Sequence, residues 1–136
     1  AEFKDEILPF AGQDNLKPLM PPTRSALQRF SDTCRDLRVR CGVALVPPAY
    51  VVHTERLART FQAFDLDPAT AETDLPQQHV KAAVPHPMPV IDLTTSLREN
   101  SSRGPYLVFD PHFSSEGHSI AAEALKPFIH KLLDLD

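Results

Sequence analysis

The chain has 136 residues, of which 42% are apolar and 24% charged, and its 18 acidic against 14 basic side chains leave a net charge of −4. That length fits one domain burying about two-thirds of its unfolded surface. The negative balance excludes a nucleic-acid surface, since the densest basic run, Arg35, Arg38 and Arg40, is interleaved with Asp32 and Asp36, and no run of 18 apolar residues is present to span a membrane as a helix.

Residues 1–22 carry Pro9, Pro18, Pro21 and Pro22 with little periodicity, and read as an extended N-terminal arm or linker ahead of an α/β portion over 23–136. The first three residues, Ala1-Glu2-Phe3, fit a cloning remnant, and the charges at Glu2, Lys4, Asp5 and Glu6 do not suit a signal peptide. From Thr23, a capping residue, Leu27, Phe30, Cys34 and Leu37 recur at helical spacing, which predicts a helix to about Arg40. Val43-Ala44-Leu45-Val46 is a continuous apolar run of the kind that parallel strands show when both faces are covered, and Pro47-Pro48 ends it.

Thr54 opens a second helix with Leu57, Phe61 and Phe64 on one face, and Asp65 to Thr73 is turn-like. Asp74 caps a third, with Pro76 in its first turn where a missing N–H costs little. Pro85, Pro87 and Pro89 then break the chain before a strand at Val90-Ile91-Asp92-Leu93. A short helix follows from Thr94 or Thr95 through Leu97, with Asp92 as its cap or, alternatively, as an acid at a strand end. Arg98 to Gly104 reads as a polar loop, Tyr106-Leu107-Val108-Phe109 as a third strand, and Ser115 to Leu133 as a closing helix bent at Pro127. Helices alternating with three apolar runs predict a layered α/β arrangement of parallel strands. Such a small sheet would expose an edge open to self-association. Cys34 and Cys41 match no zinc or redox spacing and read as free, packed thiols. Asn100-Ser101-Ser102 fits a glycosylation sequon.

The segment richest in chemistry is Phe109-Asp110-Pro111-His112-Phe113-Ser114-Ser115-Glu116-Gly117-His118. Residues i and i+2 of extended backbone project to one face, so Asp110 and His112 are expected side by side. A carboxylate that fixes an imidazole's tautomer is two-thirds of a nucleophilic triad. Ser114 and Ser115, ahead of an apolar helix, read as caps, and His118 as a packing residue of the first turn. A zinc site from Asp110, His112 and His118 would match no known ligand spacing.

This block resembles the closing segment of the SGNH (GDSL-type) hydrolase superfamily, serine esterases and acyltransferases: Asp110, one residue, His112, the small polar pair Ser114-Ser115, Gly117, then an Ala/Leu-rich helix. The single-residue spacing is similar to the branch acting on carbohydrate O-acetyl groups. The likeness extends more loosely to Cys41–Pro48 and Pro89–Leu93. It implies a partial flavodoxin-like three-layer fold with about three parallel strands and flanking helices. It also implies Asp110 as orienting acid, His112 as general base, an ester or acetylated-carbohydrate substrate, and no cofactor or metal.

The chain departs from the pattern at the nucleophile. Its glycines stand only at 12, 42, 104 and 117, and no Gly-Asp-Ser, Gly-x-Ser-x-Gly or Gly-x-Asn sequence occurs. The expected partner is therefore an N-terminal half bearing the serine, without which the chain should not turn over ester. The alternative is a non-catalytic accessory domain.

Overall fold

The structure is a computed structural model and describes residues 2–135. Helices dominate it. In chain order they are α1 (Glu2–Ile7), α2 (Gln13–Leu16), α3 (Met20–Asp36), α4 (Ala49–Val52), α5 (Thr54–Ala63), α6 (Leu75–Ala83), α7 (Thr94–Glu99) and α8 (Ser115–Leu133), with single 3-10 turns between several of them. Two three-residue strands, β1 (Val43–Leu45) and β2 (Val90–Asp92), pair in parallel with Val43 opposite Val90, Ala44 opposite Ile91 and Leu45 opposite Asp92. No helix among the described residues is long and apolar enough to cross a membrane.

The three-strand flavodoxin-like expectation is overturned: the sheet has two short strands and the chain is mainly helical. The third apolar run, Tyr106–Phe109, does not join the sheet. Its backbone is used up locally, because Tyr106 pairs with Phe113 in an isolated antiparallel bridge, Leu107 N–H donates to the His112 carbonyl, and Ser114 N–H donates to that of Pro105. Leu107, Val108 and Phe109 consequently stand in solvent, Phe109 fully.

The N-terminal segment also departs from the extended arm expected of it. Residues 2–22 form helical turns, and the prolines lie at their starts: Pro9 and Pro18 sit second in 3-10 turns that open with Leu8 and Lys17, and Pro21 and Pro22 in the first turn of α3. There the absent N–H would have no partner anyway. Ile7, Phe10, Leu16 and Met20 are buried, so this segment contributes to the core. Thr23 lies inside α3, its hydroxyl donating to the Leu19 carbonyl, so it is not the cap. Ala1, part of the suggested remnant, lies outside the described residues.

Three apolar clusters hold these elements together. Ile7 and Phe10 pack with Val51, Leu57 and Phe61; Leu16 and Met20 pack with Leu75; and Ala49, Val52, Leu93, Leu97, Tyr106, Ile120 and Ala121 form the cluster that joins α4, α7 and α8 to Tyr106 of the loop between α7 and α8. Arg98, expected in a loop, belongs to α7. Its guanidinium donates twice to the Val51 carbonyl and pairs with Asp74 at 2.5 Å, joining α4, α6 and α7. The cysteines are not free thiols: Cys34 and Cys41 form a disulfide tying the end of α3 to the entry of β1.

Candidate active site

The loop between α7 and α8 folds back on itself as a tight hairpin, closed at its base by the Tyr106–Phe113 bridge. Proline at 111 and the Asp110 side chain make its tip. Asp110 Oδ1 accepts the His112 backbone N–H at 2.8 Å, an Asx turn across Pro111, and the same oxygen contacts His112 Nδ1. The expected pairing of Asp110 with His112 is therefore present, but a turn produces it, not an extended strand. The His112 N–H and then its ring hold the Asp110 carboxyl below the usual carboxylate range. The side chains remain well exposed, His112 at 82% and Asp110 at 50%.

The base of the hairpin is fixed where its tip is not. Tyr106 is 4% exposed and donates its hydroxyl to the Pro47 carbonyl at the exit of β1, and burial pushes its phenol pKa up. A buried tyrosine hydroxyl requires such a partner. The Tyr106 ring lies 5.0 Å from that of Phe113, and His118 meets Phe113 edge-on at 5.5 Å. Ser114, not Ser115, caps α8: its Oγ accepts the Gly117 N–H at 3.1 Å and donates to the Gly104 carbonyl at 2.6 Å. Gly117 allows Pro105 to approach so closely that a Cβ there would stand 2.0 Å from the Pro105 carbonyl oxygen.

A groove of about 370 Å³ opens beside this hairpin, lined by Val46, Pro47, Tyr106, His112, Phe113 and His118, together with two further prolines. His112 and His118 thus share one groove, which the sequence did not signal, although the tyrosine heading an otherwise apolar run hinted at a tethered hydroxyl. No serine, threonine or cysteine lines it. Both thiols are spent on the disulfide.

Asp92 takes no part in this site: its Oδ1 accepts both the N–H and the hydroxyl of Thr94, at 2.9 and 2.6 Å, and so serves the start of α7. Among the described residues no group of three or more His, Cys, Asp or Glu side chains is arranged to hold a metal ion. Comparison with known proteins returns no matching family model, no matching curated protein and no matching solved structure.

Chemically, the arrangement is an oriented imidazole. A carboxylate at Nδ1 favours the tautomer that leaves Nε2 as the free acceptor. That is the equipment of a general base without a nucleophile beside it.

Proposed function

We propose that this chain carries the acid–base pair of a serine-dependent esterase or O-acyltransferase, with Asp110 orienting His112 and His112 as general base. The observation that carries the reading is the contact of Asp110 Oδ1 with His112 Nδ1 at the tip of an anchored hairpin, beside a groove. The attacking serine would come from a partner segment bearing the nucleophile. The free edge of β1 suits its docking, since Ala44 and Val46 stand exposed there and the strand runs directly into Pro47, the anchor of Tyr106. The reaction would be acyl transfer through an ester formed on that serine, and O-acetylated carbohydrate is one substrate consistent with the single residue between Asp110 and His112.

The test is fluorophosphonate labelling and acetyl-ester hydrolysis by the protein that unites this chain with the nucleophile-bearing segment. Labelling that disappears in His112→Ala supports the reading; labelling unaffected by that substitution defeats it. A second reading, a non-catalytic interaction module, is favoured by the hairpin tip itself, where Val108 is 72% and Phe109 100% exposed. It predicts no labelling at all, and loss of partner binding in Phe109→Ser.

A further inference from the structure

The groove against His112 restricts what it can hold. Its walls are Val46 and Pro47 from the exit of β1, Tyr106 and Phe113 from the hairpin base, and the imidazoles of His112 and His118. No carboxylate, ammonium or guanidinium lines it. The Tyr106 hydroxyl is already committed to the Pro47 carbonyl, so it offers no donor to a ligand. Side-chain hydrogen bonding is left to two rings, and the remaining side chains are apolar.

An uncharged wall is complementary to an uncharged ligand. A charged group entering here would lose hydration without meeting a fixed counter-charge. A sugar ring would leave several hydroxyls unpaired, each at the cost of its desolvation. A hydrocarbon chain meets neither obstacle and gains from every methylene removed from water. The volume of about 370 Å³ lies within the range of small-molecule pockets, about 300–1,000 Å³.

We propose that this groove is an acyl subsite, taking the apolar acyl chain of a neutral ester longer than acetate, with the ester carbonyl toward His112 and the alcohol portion outside. The proposal rests on the esterase reading of Asp110 and His112 and narrows it: acyl-chain length becomes the quantity this chain selects, and a carbohydrate, if present, would be the alcohol part.

The experiment titrates the 136-residue chain with ethyl acetate, ethyl propionate and ethyl butyrate, following the NMR shifts of Tyr106, His112, Phe113 and His118. Affinity should rise about fourfold with each added methylene, with perturbations centred on those four rings. Val46→Glu, at a position 55% exposed and thus tolerant of substitution, should weaken ethyl butyrate by about tenfold or more, since it places a carboxylate in the apolar wall. Equal affinity along the series, perturbations centred on residues outside this groove, or tighter binding of an acetylated sugar than of ethyl butyrate would overturn the proposal. The Asp110→Asn variant separates the two readings. If the His112 ring-nitrogen shifts respond to it while the ester series is flat, the subsite fails and the acid–base pair stands. If the series behaves as expected while those shifts ignore Asp110→Asn, the pair fails and the groove stands as an apolar ligand site.

Discussion

Gly117→Ala puts the anchoring of the hairpin to a direct test. Ordinarily alanine is favoured over glycine in a helix by up to about 1 kcal/mol, and Gly117 lies in the first turn of α8, so propensity alone predicts a small gain. The contact geometry predicts the reverse. A methyl group would stand 2.0 Å from the Pro105 carbonyl oxygen and 3.0 Å from the Phe113 ring. The obstacle at 2.0 Å is backbone, and Pro105 is fully buried, so no flexible side chain can yield. The Pro105 carbonyl also accepts the Ser114 N–H at 3.0 Å, the bond that closes the hairpin base. Forcing it away costs about 1–3 kcal/mol of overpacking and about 1 kcal/mol of hydrogen bond. Set against the propensity gain, the net loss is about 1–3 kcal/mol. For a chain of this size that lowers the melting temperature by about 4–10 °C. Thermal unfolding followed by circular dichroism reads the loss, and amide shifts of residues 105–114 report whether the hairpin moved. Gly104→Ala is the control, since its left-handed backbone (φ +66°) has nothing within 4 Å of a Cβ; its cost of about 1–2 kcal/mol is purely conformational. A Gly117→Ala protein as stable as the parent, with unshifted hairpin amides, would refute the reasoning.

Tyr106→Phe should cost about 1–3 kcal/mol in thermal or urea unfolding by leaving the buried Pro47 carbonyl without its donor, and should broaden or shift the His112 ring signals because the hairpin base loosens. Replacing Cys34 and Cys41 together by serine removes a bridge of sequence separation 7, worth about 2.5 kcal/mol from loop closure; an intact mass lacking the loss of two hydrogens would show that the bond does not form. Asp110 has a depressed native pKa, so its contact with His112 stabilises the hairpin above the ordinary carboxylate pKa and is lost only as pH falls through the lower native value. Carboxyl NMR titration should place the Asp110 midpoint below that of an unstructured aspartate, and a midpoint at or above it would contradict the geometry.

What the sequence reveals divides along the range of the forces involved. Val43–Leu45 and Val90–Asp92 are strands and α5 and α8 are helices where apolar patterning places them, because such patterns report on local backbone and burial together; α6 carries Pro76 in its first turn as expected, although the Asp74 side chain does not cap it. The adjacency of Asp110 and His112 is legible for the same reason: two residues and one turn determine it. Longer-range outcomes are not legible. Tyr106–Phe109 is as apolar as a core strand, yet its partners lie at residues 112–114, and this competition for backbone hydrogen bonds leaves no trace in a propensity. The prolines of residues 9–22 read equally as breakers or as first-turn residues, and only the burial of Ile7, Phe10, Leu16 and Met20 decides between them. Cys34 and Cys41 are separated by the left-handed turn at Arg38 (φ 55°), and that turn at the end of α3 is what carries the two sulfurs together.

The hairpin is built unevenly, and that unevenness bears on function. At its base, a buried tyrosine is tethered to the exit of β1, a serine joins the Gly104 carbonyl to the N–H of Gly117, and Gly117 admits a proline carbonyl at a distance no other residue would allow. These are long-range or sterically exacting contacts. At its tip, a half-exposed carboxylate touches a largely exposed imidazole. A solvated pair of this kind adds little to stability, since water screens it and ordering two side chains costs entropy. The base therefore holds steady an imidazole that the fold itself scarcely needs. An anchored, exposed and oriented imidazole is suited to meeting a group that arrives from outside, whereas the turn at the tip needs only the Asp110 carboxylate and the His112 N–H and makes no demand on the His112 ring. On that ground the acid–base reading accounts for more of the hairpin than an interaction module does, and Asp110→Asn, which keeps the size of the side chain but removes its charge, is the substitution to which the two readings respond differently: the first requires that it disturb His112, the second that it leave partner binding intact.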